Sequence, residues 1–447
     1  HADRGTAYAM PWLLATDARL LRREGSLDVA IERLREAIAL TERGAEGLSA
    51  PFDRDQVYGT AAALHRDLAD AYFAAGRAGD AFELVEQQRS RVLLAAVAAP
   101  PRPRAIRSLA QVATKIPHGT AVLHYTVTGG RIWLFTIRDG TSSLHLLHAR
   151  AGAVETEIEQ LCVAQENGDA ARADALSRKL QASLIEPVTG EIAHATRLVF
   201  VLDDALARVP LAALRNDNFL VERAEIVVAP SANVYAARVE TPAHRGTGAV
   251  IVSDPAFDVE RYATLSRLPG AANEGRAIAP MYTPVATFAG NDATVAEVLP
   301  ALSSAAVIHL GLHAVVNERD PGRSALLLAA GPAAGELYLH QIAATDLRRV
   351  NLVVAAGCRT ATKGRRGMAA SSMTTAFLLA GARSVVGALW DIDDHAARAF
   401  AILLHRRIAA GMTPATAVRQ TQLEMLHHPD PRLRTPAAWA ALQLYGS

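Results

Sequence analysis

Cysteine is scarce: 447 residues contain only two, Cys162 and Cys358. Two cannot staple a disulfide scaffold, and no Cys/His cluster has structural-zinc spacing. The expectation is a reduced, cytoplasmic setting with no metal and no cofactor. Lysine occurs only at Lys115, Lys179 and Lys363, while arginine and alanine abound; that bias fits GC-rich bacterial coding. There is no charge-free apolar run of about 18 residues, so no transmembrane helix is expected. The start shows no signal peptide, and it begins with His1, as a piece of a longer protein would. Charge is nearly balanced, at a formal net +1. That gives no broad electrostatic attraction to nucleic acid or to an anionic membrane, and no basic stripe carries interleaved aromatics.

What is present is apolar: half of the residues are hydrophobic, and the length suggests two or three domains. Residues 12–98 read as helices, with two similar stretches. Ala18, Leu21, Gly25 and Ala30 precede Ile31, Leu34 and Ala37; Ala69, Tyr72, Gly76 and Ala81 precede Phe82 and Val85. Helix, Gly-containing turn and helix with an early Ala is the pattern of tetratricopeptide repeats, here at a longer offset than the usual ~34 residues. The alternative is a plain helical hairpin packed on the next domain. Pro100-Pro101-Arg102-Pro103-Arg104 is a linker, because proline fixes φ and removes amide donors.

Beyond it, strands alternate with helices. Val122–Val127 and Ile132–Ile137 flank Gly129-Gly130, a hairpin signal. Residues 153–195 read as amphipathic helix. Short apolar strands follow at Leu198–Leu202, Ile226–Val228, Val250–Val252, Val307–Leu312, Leu352–Ala355 and Val385–Leu389. Helices are expected near 272–280, 293–302, 371–380, 394–409 and 413–426. This alternation implies a mostly parallel sheet covered by helices on both faces. The expected boundaries are a helical module at 1–98, a linker at 99–105, and two α/β halves at 106–245 and 246–447.

In such sheets, ligands bind beyond the carboxyl ends of the strands. His313 follows Val307–Leu312, and Cys358 follows Leu352–Ala355. A cysteine becomes a good nucleophile beside a base, and histidine can take its proton and return it to a leaving amine. The plain alternatives are a buried structural cysteine and a structural histidine. His309 and His313 also form H-x-x-x-H, a metal spacing on a helix. On a strand those four residues span about 13 Å, too far to share an ion, so His309 is expected to be structural.

Six segments in order make the chain resemble the CHAT family, caspase-like peptidases found behind tetratricopeptide repeats. They are Val199–Asp204 with Val209–Leu214; Ala229-Pro230-Ser231-Ala232; Asp254-Pro255 with Leu268-Pro269-Gly270-Ala271 and Glu274; Ile308–His313; Ala356-Gly357-Cys358-Arg359-Thr360; and Ala380–Val385 with Leu389–Asp394. The resemblance implies a caspase-like α/β fold, with a mostly parallel sheet flanked by helices. The half at 106–245 would be a pseudo-caspase half and that at 246–447 the catalytic half. It further implies peptide-bond hydrolysis by a dyad, with Cys358 as nucleophile and His313 as general acid/base. The oxyanion donors would be the backbone amides of Cys358 and Ala314. Where the family usually has Gly after the histidine, this chain has Ala314, which would be strained if the position needs φ > 0.

Related separases line their arginine pocket with an acid in a comparable segment. That makes Asp391, with Asp394, the candidate for recognising a basic residue before the cut; the competing role for this acidic cluster is helix N-capping. The Arg359–Met368 loop, with Lys363, Arg365 and Arg366, is either a solvated loop or a self-cleavage site. The expected partners are a protein substrate, such as a pore-forming or other effector encoded nearby, and a regulator bound by the helical repeats, in a bacterial regulatory, defence or cell-death pathway. The rivals are a catalytically silent scaffold and another thiol enzyme on the same dyad.

Overall fold

The computed structural model describes residues 2–46, 51–97, 105–243, 248–317, 323–331, 334–355 and 373–446. The front module is all helical: α1 (Ala2–Arg23), α2 (Leu27–Glu46), α3 (Pro51–Ala74) and α4 (Ala78–Val97). Gly25 and Gly76 turn the chain between members of each pair, both at positive φ. Ala18, Ala30, Ala69 and Ala81 are fully buried where the helices meet; small side chains there let the helices approach closely. The proline-rich linker lies almost entirely outside the described residues.

The rest alternates strands and helices. First come α5 (Leu109–Ala113), β1 (Thr120–Thr128), β2 (Arg131–Arg138), β3 (Thr141–Arg150), α6 (Ala151–Glu166), α7 (Ala170–Leu184), β4 (Arg197–Val201), α8 (Leu220–Arg223), β5 (Glu225–Val228) and α9 (Ala232–Glu240). Then follow β6 (Ala249–Pro255), α10 (Pro269–Ile278), β7 (Val285–Gly290), α11 (Val295–Leu302), β8 (Val307–Gly311), β9 (Ala314–Val315), β10 (Ala325–Leu327), β11 (Glu336–Tyr338) and α12 (Leu339–Ala343). Last are β12 (Leu352–Ala355), α13 (Met373–Leu379), β13 (Ser384–Ala388), α14 (Asp394–Ala409), α15 (Pro414–Leu426), α16 (Pro436–Trp439) and β14 (Leu442–Gly446).

Eleven strands form one sheet in the order β3-β2-β1-β4-β5-β14-β13-β12-β8-β6-β7. Only β1/β2, β2/β3 and β13/β14 pair antiparallel. The central strands β12 and β13 are buried along their whole length, because helices cover both faces and Val-rich segments suit such positions. Gly129 and Gly130 both take positive φ between β1 and β2, the backbone a two-residue primed turn requires. β9, β10 and β11 make a second, three-stranded sheet. Among the described residues, no helix is long and apolar enough to cross a membrane.

A buried polar plug seats the helical module on the sheet. Glu86 of α4 is fully buried and accepts from the Ala232 and Asn233 amides (3.1 and 2.6 Å), Asn233 Nδ2 (2.9 Å) and His124 Nε2 (3.0 Å). The two amides belong to the first turn of α9, where orphan donors and the helix dipole favour an anion. Burial pushes the Glu86 carboxyl up, but the His124 and Asn233 donors outweigh it and hold the group below its ordinary range. Burial also depresses His124, so the pair is a carboxylate accepting from a neutral imidazole. Nearby, Phe73 of α3 stacks on Trp133 of β2 at 4.3 Å between ring centroids.

Candidate active site

The two expected reactive residues follow neighbouring parallel strands. β8 and β12 pair with His309 opposite Val354, and His313 and Cys358 each stand four residues further along their chains. Adjacent strands run about 4.8 Å apart, so this register sends both chain exits from the same edge of the sheet. β12 ends at Ala355; Cys358, with its flanking Ala356-Gly357 and the Arg359–Met368 loop, lies outside the described residues. The other cysteine is no competitor. Cys162 is buried in α6, with its thiol 3.6 Å from the Arg208 carbonyl, and burial pushes it up to about 11. At neutral pH it stays a thiol, a poor nucleophile.

His313 is nearly buried, at 8% exposure. Its Nε2 lies 2.7 Å from the Ser266 carbonyl oxygen. A carbonyl only accepts, so Nε2 carries the proton and Nδ1 of the neutral ring holds the lone pair. The ring of Phe257 meets the imidazole edge-on at 5.2 Å. One contact fixes the tautomer and the other limits ring rotation.

Ala314 occupies β9, at the edge of the small sheet. Among the described residues, Asp139 and Asp254 are the non-glycine residues at positive φ, so Ala314 sits in ordinary extended backbone without that strain. The Leu327 amide donates to the His313 carbonyl at 2.9 Å, and Ala314 pairs with Leu326. Bonded and non-bonded pairs alternate along an antiparallel ladder. Ala314/Leu326 is therefore the non-bonded pair, and the Ala314 amide points away from β10.

Asp391 follows β13 and is exposed; β13 is the strand beside β12. In the acidic cluster, Asp393 is the N-cap of α14, accepting from the His395 and Ala396 amides at 3.0 and 3.3 Å. Asp394 is the first residue of that helix, and a Cβ on Gly270 at the start of α10 would lie 3.4 Å from its carboxylate.

Beneath the site, His309 is fully buried. Its Nδ1 is 3.1 Å from His405 Nε2, and Tyr282 Oη is 2.7 Å from His405 Nδ1. Glu274 Oε1 lies 2.9 Å from His309 Nε2 but outside hydrogen-bond geometry. Burial, and then His309, drive His405 well below the ordinary histidine range.

Two contributors escaped the sequence. Any residue type can offer the carbonyl that Ser266 offers, so no side-chain signal existed for it. Phe257 stands just after the motif Asp254-Pro255, which could have drawn attention to it.

The family model of the CHAT domain matches residues 174–447. Among curated proteins, none matches the sequence. Two structures of the Saccharomyces cerevisiae separase–securin complex are similar, with TM-scores of 0.58 and 0.55 at 12% and 11% identity. The likeness covers 94% and 95% of this chain but only 37% and 38% of those chains, and at such identity it speaks for the fold alone: a caspase-like α/β architecture. The Arg-specific cysteine proteinase gingipain R of Porphyromonas gingivalis matches at TM-score 0.41 and 9% identity, over 59% of this chain and 65% of that one.

Proposed function

This chain belongs to the CHAT-domain family, and from that premise we propose that it is a cysteine endopeptidase acting on a protein substrate through Cys358 and His313. The observation that carries the proposal is the orientation of His313, whose Nε2 is tied to a backbone carbonyl at the strand end neighbouring the one that leads to Cys358.

His313 Nδ1 takes the thiol proton, and the thiolate attacks the scissile carbonyl carbon. The tetrahedral oxyanion is received by the Cys358 and Ala314 amides. Collapse breaks the C–N bond, and His313 gives its proton to the departing amine. Water, deprotonated by the same ring, then hydrolyses the thioester and restores the thiol. Asp391, with Asp394, selects a basic residue before the cut by a charge-assisted contact. The exposure of Asp391 and its place at the edge of β13 support this assignment.

The helical module binds a regulator or recruits the substrate, in a bacterial regulatory, defence or cell-death pathway in the cytoplasm. Met10, Trp12, Leu13 and Leu20 of α1 are all more than 40% exposed, and an apolar helix stripe of this kind suits a protein partner. A cavity of about 260 Å³ separates the module from the sheet, with Leu84 and Arg89 of α4 on one wall and Thr374 and Leu378 of α13 on another. α13 is the first described element after the Cys358 segment in the chain, and through it the module would act on the nucleophile. The domain boundaries at 98/106 and 245/246 remain part of this proposal.

The test is a pooled peptide library read by mass spectrometry, with wild type, Cys358→Ala and Asp391→Asn. We expect cuts after Arg or Lys that vanish in Cys358→Ala. Asp391→Asn should lower the preference for basic residues at least about tenfold, the loss of ~1.4 kcal/mol. Cleavage unchanged by Cys358→Ala would remove the dyad from consideration, and no cleavage even with neighbouring gene products added would favour a silent scaffold.

A further inference from the structure

The carbonyl that orients His313 sits in an unpromising place. Ser266 is exposed and belongs to an irregular stretch before α10. Left alone, such a loop moves on the nanosecond-to-microsecond scale and would aim a carbonyl poorly.

The next two residues are held hard. Arg267 Nε and Nη2 each donate to the Asp254 carboxylate at 2.9 Å, and Nη2 also donates to the Asp254 carbonyl at 3.0 Å. The Leu268 amide donates to Asp254 Oδ1 at 2.8 Å. A planar guanidinium on a carboxylate fixes direction as well as distance. Asp254 itself has φ +45°, a conformation uncommon for a residue with a side chain. It persists where surrounding contacts over-determine it, and four bonds to the opposite strap do so here.

The clamp's fixed end lies on the sheet. Asp254 is near the end of β6, where Ser253 pairs with Gly311 of β8, two residues before His313. Phe257, against the His313 ring, lies three residues beyond Asp254. The strap's other end enters α10, which is pressed onto β6 and β8. A Cβ on Gly275 would lie 2.6 Å from Ser253 Oγ, and one on Gly311 would lie 3.1 Å from the Ala271 Cβ. Glu274 adds its contact with His309.

We propose that Asp254 is a positioning residue for His313: through Arg267 and the Leu268 amide it holds the Ser266 carbonyl where it fixes the ring's Nε2–H tautomer and leaves the lone pair on Nδ1. This rests on His313 being the catalytic base. Asp254 touches no reacting atom and acts through the strap.

The experiment pairs kinetics with a spectroscopic readout that needs no turnover. Asp254→Asn tolerates positive φ but cannot form the charged fork. Arg267→Met removes an exposed partner and leaves the β6 backbone intact, and Arg267→Lys keeps the charge without the fork. In full-length protein labelled with ¹⁵N-histidine, with His313 assigned through His313→Gln, wild type should show the Nε2–H tautomer. Asp254→Asn and Arg267→Met should show a mixture. On a cleaved peptide, kcat should fall about 10- to 100-fold with KM within about twofold, the cost of misplacing a catalytic group by around 1 Å; Arg267→Lys should fall between.

An unchanged tautomer with kcat within about threefold of wild type in both Asp254→Asn and Arg267→Met overturns the proposal, even if the peptidase reading stands. If wild type cleaves nothing, the tautomer decides alone: a mixture upholds the clamp while the function is revised, and an unchanged ring rejects it.

Discussion

Removing the Glu86 carboxylate should loosen the helical module. Glu86→Ala takes an acceptor from four buried donors: the Ala232 amide, the Asn233 amide, the Asn233 side chain, which keeps the Arg107 carbonyl at 3.3 Å, and His124 Nε2. An orphaned buried donor costs about 1–3 kcal/mol. The small cavity left behind admits some water, so the four do not add in full. Losing one partner of a buried charged network typically costs ~3–5 kcal/mol, and we expect Glu86→Ala to lie in that range. Glu86→Gln should be nearly as harmful, because its NH₂ group would face N–H donors. The control is Arg19→Ala, which breaks the exposed Arg19–Asp67 pair at 2.9 Å and should cost less than ~1 kcal/mol. Urea titrations would follow tryptophan fluorescence and far-UV circular dichroism together. Trp133 reports the seat of the module through its stack on Phe73, so in Glu86→Ala fluorescence should change before helix is lost. If Glu86→Ala matches Arg19→Ala in midpoint, the plug does not hold the module and the reasoning fails.

Two further outcomes follow from the ground beneath the site. Gly275→Ala gains up to ~1 kcal/mol of helix propensity, but its methyl would sit 2.9 Å from Ser253 Cβ, and overpacking costs about 1–3 kcal/mol. A net loss of up to ~2 kcal/mol in denaturant midpoint is expected; a gain in stability would show that α10 can lift without cost. The second outcome concerns pH. His405 and His124 are both depressed in the fold, so below pH ~6.5 the unfolded chain binds protons that the folded chain refuses, and stability falls as pH falls. Glu86, also depressed, adds to the loss below about pH 4.5. His405→Phe, which removes the ring facing His309 and Tyr282, should reduce the slope between pH 6.5 and 5 by up to ~1.4 kcal/mol per unit. An unchanged slope in urea midpoints measured across that range would mean that His405 charges inside the fold.

The central strands were legible because both faces are buried: the apolar runs at β8, β12 and β13 have few other interpretations. The missed strands lacked that signal. β3 is mostly exposed or half-buried, with the polar start Thr141-Ser142-Ser143, and β7 alternates exposed and half-buried positions at the sheet edge. β9, β10 and β11 have two or three residues each, too few for any period to show. β14 follows the Ala-rich turn of α16, whose composition reads as helix. The helical stretch expected over 153–195 is instead two helices, parted where Gly168 takes positive φ. At the site, His313 was legible as a residue after an apolar strand. Its supports were less so: Asp254 and Arg267 stand far apart in sequence, and their meeting depends on how α10 packs on β6 and β8.

β14 follows every other strand in the chain, yet it sits at the middle of the sheet, parallel to β5 on one side and antiparallel to β13 on the other. Synthesis runs from the amino end, and earlier segments begin to fold first. A nascent chain can therefore assemble β1 to β5 as one block and β6, β8, β12 and β13 as another, joined through Arg238 on the Gly381 and Ala382 carbonyls but without a shared strand until residues 442–446 have been made. Until that moment, β5 and β13 each present an open edge. The eleven-stranded sheet thus becomes continuous only when β14 inserts between β5 and β13, so one late strand sets the alignment of the two blocks.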